Sequence, residues 1–286
     1  MTEPTSLLRL LTLDQVEATT FRGPQLHVGT PWEHQRTFGG QVMAQALMAA
    51  AHTLGPERRC HSMHAYFLRP GSNALPIDYR VELTRDGNTF SQRRVTAYQA
   101  DVLLFTLNAS YHLDEPGLEH ADPIPAGVPD PDDCPGLGEV LRDRIGPQAS
   151  QWITWRGLDV RFVGDSQGDI ASGAHAAHLR VWARTIEDLP DDPRLHTALA
   201  AYLSDLTILS AAAVPHPVSI LSPKVQAASL DHAMWFHRDL RADRWLLHDQ
   251  ISPTASNGLG FSNGRLFQGG RLSASVSQEG LIRLAP

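Results

Sequence analysis

Two stretches of this chain repeat each other across a nearly constant interval. Tyr66-Phe67-Leu68-Arg69 returns as Trp235-Phe236-His237-Arg238, 169 positions later. Phe90-Ser91, just after a Gly87-Asn88 turn, returns as Phe261-Ser262, 171 positions later and just after Asn257-Gly258-Leu259-Gly260. Each Phe-Ser pair leads into a strand-like run that ends on leucine, Leu113 in one copy and Leu284 in the other. Spacing held over such a distance points to duplication of a whole folding unit rather than of a local motif. A fused pair can divide its work, so the informative polar residues are those that occur in one copy only.

Within each copy the order of elements is the same. Val42 to Leu54 is rich in Ala, Met and Leu, contains no Gly or Pro, and is apolar almost all round, which predicts a buried helix. Gly39-Gly40 ahead of it permits a tight start and leaves the first N–H groups accessible. A short helix is expected in Leu7 to Val16 and an irregular strand over Phe21 to Gly29. Strands then follow at His61–Leu68, Ile77–Thr84, Phe90–Tyr98 and Val102–His112, with breaks at Pro70-Gly71 and Asp86-Gly87-Asn88. From about Asp114 to Gly146 six prolines sit among Gly and Asp, a composition that predicts a connector with little regular structure.

The second copy is expected to open with strands Trp152–Val163 and His175–Thr185. Asp191-Asp192-Pro193 starts a helix running from about Arg194 to Ala212. Strands follow at Ser229–His237, Trp245–Ser252, Gly260–Phe267 and Arg271–Arg283. A buried helix followed by an antiparallel meander, twice over, predicts an α+β chain in which two curved sheets, each wrapping a central helix, join side by side into one. The divisions are residues 1–115, a connector at 116–148, and 149–286.

Composition narrows the class of function. Hydrophobic residues are 42% and charged residues 19% of 286, a globular balance. A net charge of -7 argues against a general nucleic-acid binder, which needs basic surface, but leaves anionic small substrates open. Cys60 and Cys134 are the only cysteines, too few for a disulfide framework. No secretory leader, membrane span or C-terminal peroxisomal address is read, so a cytoplasmic location is expected.

Several long motifs resemble the acyl-CoA thioesterase II family, whose members are double hotdogs. They are Phe38-Gly39-Gly40-Gln41-Val42, His61 through Gly71, Arg85 through Ser91, Leu203-Ser204-Asp205-Leu206, Asp231 through Arg238, and Gln278-Glu279-Gly280. The resemblance implies a tandem hotdog that hydrolyses acyl-CoA to fatty acid and coenzyme A. Coenzyme A is then part of the substrate, no separate cofactor is called for, and a homo-oligomer is expected. It also implies that Asp205, Ser229 and Gln278 hold the attacking water. The middle position departs slightly, with Ser where the family often has Thr; the hydroxyl is retained and the methyl lost.

The residues themselves support part of this. Asp205 lies amid apolar helix residues, where a carboxylate is costly unless paired or used, and the first helix has no acid at all. That asymmetry favours one active site, built on the second helix. Gly39 and Gly40 are candidate donors to a developing oxyanion, and His232 is a candidate partner of the site. His61 and His64 form H-x-x-H, but three apart on a strand they point to opposite faces, so a metal site is not expected. Arg69 and Arg238 recur in both copies, which favours a structural role. Gly260-Phe261-Ser262-Asn263-Gly264 matches the G-x-S-x-G pattern of serine hydrolases, yet no His or Asp follows it and its surroundings read as strand. Two other functions stay open at this point: a hotdog-type enoyl-CoA hydratase or dehydratase, and an acyl-CoA binder without catalysis.

Overall fold

The computed structural model describes residues 7–25, 36–146, 157–166, 177–222 and 224–284. The first copy contains α1 (Leu7–Leu11), β1 (Asp14–Glu17), β2 (Thr20–Gly23), α2 (Gly39–Ala51), β3 (Arg59–Phe67), β4 (Ile77–Asp86), β5 (Phe90–Gln99) and β6 (Val102–His112). The second contains β7 (Leu158–Asp165), β8 (Ala177–Thr185), α4 (Pro193–Ser204), α5 (Ile208–Ala211), β9 (Val225–Ser229), β10 (Asp231–Phe236), β11 (Leu246–Ser256), β12 (Leu259–Gln268) and β13 (Arg271–Leu284). Between them lies α3 (Leu137–Ile145). Parts of three expected strands, at Leu26–Gly29, Trp152–Arg156 and His175–Ala176, lie outside the described residues.

All the described strands form one antiparallel sheet in the order β1-β2-β4-β5-β6-β3-β10-β13-β12-β11-β8-β7, with β9 paired to β13. The copies meet where β3 pairs with β10. That join is symmetric about one pair: His64 lies opposite Ala233, the residue 169 positions later, and Met63 opposite Met234 is matched by Ala65 opposite His232. The same offset relates hydrogen bonds far from the join. Arg69 Nη1 donates to Leu103 O and Arg238 Nη1 to Leu272 O, both at 2.9 Å. Gln99 bonds the backbone of Ser72 and Leu75, and Gln268 that of Arg241 and Arg244. The repeat is thus an approximate two-fold, and the paired arginines are framework.

The two long helices occupy the interior. Every residue of α2 from Gly40 onward is buried, and the helix packs on β2 through β6. It starts three residues earlier than the apolar run alone predicts, because Gly39 and Gly40 join the first turn. It closes at Ala51, where Thr53 and Leu54 turn back to Ala50 and Ala51 O. α4 packs against α2 and β3, and a Cβ on Gly40 would sit 2.8 Å from Tyr202 O. Glycine is what lets the helices approach this closely.

Two expectations need correction. The helix over Arg194–Ala212 is interrupted: α4 ends at Ser204, and Thr207 leaves helical geometry at φ -133°. Its side chain donates to buried Gln250 Oε1 at 3.0 Å, a bond that fixes the break. The connector, moreover, carries α3. Gly136 N–H bonds Glu139 Oε2, Arg142 and Arg144 sit in the last turn, and Leu137 and Leu141, four apart, pack on the core. No helix among the described residues is long and apolar enough to cross a membrane.

Candidate active site

The break after Ser204 sets the direction of Asp205. Asp205 caps the C-terminal end of α4, and its carboxylate faces the start of α2: a Cβ on Gly39 would lie 2.8 Å from Asp205 Oδ2. The first turn of α2 begins with Gln41 and Val42 N–H bonding to Phe38 O. Among the described residues no acceptor takes the N–H groups of Gly39 or Gly40. A helix start with open donors therefore faces the one carboxylate at the end of the other helix.

Ser229 and His232 come from a strand that is broken where continuity is expected. Residues three apart on a regular strand face opposite sides. Here the strand is interrupted at Leu230, between β9 and β10, and both side chains reach Gln278. Leu230 N–H bonds Glu279 O at 3.0 Å, and Asp231 Oδ1 accepts from Glu279 N–H at 2.7 Å, which holds the kink.

The four polar side chains form a chain with a direction. Gln278 Nε2 donates to Ser229 Oγ at 3.0 Å, and Ser229 Oγ donates to Asp205 Oδ1 at 3.1 Å. Gln278 Oε1 must then accept, and its partner is His232 Nδ1. Burial pushes His232 down to about 4, so near neutral pH its ring carries a single N–H. That proton sits on Nδ1, toward Gln278 Oε1, and Nε2 lies 2.9 Å from Ser204 Oγ, whose single hydrogen also has Ala201 O at 2.9 Å. The donors of His232, Gln278 and Ser229 thus point in series toward Asp205. His232 Nδ1 stands 3.9 Å from Asp205 Oδ1, beyond hydrogen-bond range.

A cleft of about 570 Å³ opens over Asp205 and Ser229. Its walls come from both copies: Phe38, Gly39, Phe67 and Arg69 from the first, and Leu206 and Leu230 from the second. His232 and Gln278 do not line it; they are 0% and 1% exposed behind the wall. Sequence reasoning missed Ser204, which anchors the far end of the chain; its adjacency to Asp205 was the available signal.

The other motifs resolve differently. His61 bonds Ser110 and His64 stacks edge-on against Trp235, and no group of three His, Cys, Asp or Glu able to hold a metal occurs among the described residues. Ser262 lies mid-strand in β12, fully buried and opposite Gln278, with no helix after it. It is not a nucleophile elbow.

Comparison with known proteins identifies the family of the chain. Residues 28–112 match a family described as acyl-CoA thioesterase N-terminal domain, and residues 164–281 one described as acyl-CoA thioesterase. The chain is 34% identical to Acyl-CoA thioesterase 2 of Haemophilus influenzae over 98% of each chain. It is 35% identical to mouse acyl-coenzyme A thioesterase 8, over 97% of this chain and 88% of that one. A solved acyl-CoA thioesterase II from Mycobacterium marinum superposes with a TM-score of 0.80 at 41% identity, covering 98% of both chains. Fold and relatives together define a double-hotdog thioester hydrolase. The chain belongs to the acyl-CoA thioesterase II family.

Proposed function

We propose that this protein hydrolyses acyl-CoA thioesters with water activated by Asp205. The observation that carries this is the directed hydrogen-bond chain ending on Asp205 Oδ1, opposite the open helix start at Gly39 and Gly40. Ser229 donates its one proton to Oδ1, and Oδ2, on the Gly39 side, is the oxygen that takes a proton from water. The water oxygen bonds to the thioester carbon, and negative charge develops on the carbonyl oxygen. The Gly39 and Gly40 N–H groups, with the positive end of α2 behind them, stabilise it. The C–S bond then breaks, the sulfur recovers the proton from Asp205, and carboxylic acid and coenzyme A leave. Gln278 acts through Ser229 as a positioning residue rather than by touching water.

A hydratase or dehydratase that moves protons with an Asp-His pair fits less well. His232 is buried, both ring nitrogens are occupied, and it does not line the cleft. The deciding measurement offers the protein an acyl-CoA while free thiol is followed, and an enoyl-CoA while its absorbance is followed. Thiol release alone is the expected result. Hydration without thiol release, or binding with neither, would overturn the assignment.

The acyl chain has a place to go. Leu206, Ile220 and Leu221 line both the catalytic cleft and an adjoining cavity of about 360 Å³, walled by Leu137, Val140 and Leu141 of α3 and by Val214. The connector helix thereby limits chain length. Val214→Trp is expected to shift the kcat/KM optimum to acyl chains shorter by several carbons, with short-chain rates little changed. Each methylene that loses its burial forfeits about 0.8 kcal/mol, roughly four-fold in kcat/KM. An unaltered chain-length profile would place the acyl group elsewhere.

A further inference from the structure

The approximate two-fold that makes one catalytic cleft makes a second one. A cavity of about 400 Å³ is lined by Ala51, Cys60, Pro193, Phe236, Arg238 and their neighbours. Phe236 and Arg238 follow Phe67 and Arg69 of the catalytic cleft by 169 positions, and Cys60 precedes Ser229 by the same interval. The catalytic cleft lies between the start of α2 and the end of α4. This one lies between the start of α4 and the end of α2.

Its hydrolytic chemistry is gone on both sides. The end of α2 presents Ala51 to this cleft, and the residue that caps α2 is His52, where Asp205 caps α4. At the positions equivalent to Ser229, His232 and Gln278 stand Cys60, Met63 and Ala109, and Met63 and Ala109 pair directly across β3 and β6. The helix start is closed as well: Pro193 has no N–H, and Arg194 N–H is capped by Asp192 Oδ1 at 3.0 Å.

What replaces that chemistry is a set of guanidinium groups. Arg58, Arg59, Arg194 and Arg238 line the cavity with Asp114 and Asp239, and Arg194 and Arg238 are themselves ion-paired, with Asp192 and Glu119. Arg58 and Arg59 occupy positions that are Ala227 and Ala228 in the catalytic cleft. Arg59 pairs with Asp239 and Asp114. Arg58 bonds only carbonyl oxygens, those of Gly87, Asn88 and Thr89, and among the described residues forms no ion pair. It is thus the one arginine of the four without an ion pair among the described residues, in a chain whose net charge is -7. Leu47, Tyr111 and Leu240 supply an apolar wall beneath this rim. A cationic rim over an apolar wall, in a cleft shaped like the catalytic one, suits a ligand with phosphates at one end and an acyl chain at the other.

We propose that this second cleft binds a coenzyme A thioester without hydrolysing it, so that each chain carries one catalytic and one non-catalytic ligand. The inference rests on the assignment of the first cleft to acyl-CoA. Calorimetric titration of the intact protein with a non-hydrolysable thioether analogue of a medium-chain acyl-CoA is expected to give two equivalents per chain. Thr197→Trp, which fills the second cleft from α4, is expected to leave one equivalent and an unchanged initial rate at substrate concentrations below KM. A photoreactive form of the same analogue provides a readout without mutation. It should label peptides around Cys60 or Phe236 as well as around Phe67.

One equivalent per chain with labelling confined to the Phe67 side would overturn the proposal, whatever the rate of thiol release. Occupation of the second cleft by ADP or inorganic phosphate but not by the thioether analogue would also overturn it, since the site would then recognise phosphate alone. A protein that binds two equivalents yet releases no thiol would instead refute the hydrolytic assignment and leave the second site standing.

Discussion

Asp205→Asn is expected to lower kcat for thiol release by about 10²- to 10⁴-fold while KM changes little. Asparagine has the shape of aspartate, and its carbonyl oxygen still accepts the Ser229 hydroxyl that now donates to Oδ1 at 3.1 Å. The cleft and the break after α4 are therefore preserved. What disappears is the capacity to take a proton from water, a contribution of that size in general-base catalysis and equivalent to about 3–5 kcal/mol of barrier. Loss of kcat without a rise in KM marks an interaction made in the transition state rather than on binding. Steady-state thiol release, paired with a denaturant midpoint equal to that of the wild type, separates this from misfolding. Full activity in the variant would remove Asp205 from the mechanism, and the hydrogen-bond chain would become a structural feature only.

The repeat and its asymmetry were legible because they are local or strictly periodic. Tyr66-Phe67 and Trp235-Phe236 end β3 and β10, the strands that pair at the join, where backbone pairing fixes the offset. The absence of any acid from α2 and the presence of Asp205 at the end of α4 needed only composition along a helix. What was hidden depends on contacts far apart in sequence. Leu206, Thr207 and Ile208 continue an apolar helical pattern. The break shows only when Thr207 meets Gln250, 43 positions away. Ser204 reads as an ordinary helix serine until His232 is placed beside it. The kink at Leu230, which turns Ser229 and His232 to the same side, is held by the backbone of Glu279 in another strand. The second cleft was hidden for the same reason. Arg58, Arg59, Arg194 and Arg238 are scattered in sequence, and only the two-fold gathers them.

His232→Met tests the buried end of the chain, with the residue that the first copy itself uses at the equivalent position, Met63. The ordinary histidine value of 6.5 holds in the unfolded chain, while burial pushes the native group down to about 4. Between those values the unfolded state binds a proton that the native state does not. Stability therefore falls as pH drops through that window, by on the order of 3 kcal/mol for this one group. His248, pushed down to about 3 by burial, adds to the same acid sensitivity. Methionine removes one share of it. At neutral pH the variant is expected to be less stable by about 1–3 kcal/mol, because Gln278 Oε1 loses its donor in a fully buried site. As pH falls from 7 to 4, the wild-type and variant curves should converge, since only the wild type has His232 to protonate on unfolding. Denaturant titrations at pH 7, 5.5 and 4 measure this, and parallel curves would show that His232 has no part in the acid response. The activity of the same variant reads the other function of the residue. Without an N–H fixing the Gln278 amide, that amide is free to turn its oxygen toward Ser229. The Ser229 hydroxyl is then drawn away from Asp205, and kcat is expected to fall by about ten-fold, a barrier increase near 1.4 kcal/mol. Because burial keeps native His232 neutral well below pH 6.5, the wild-type pH–rate profile should show no limb near pH 6.5 that the variant lacks.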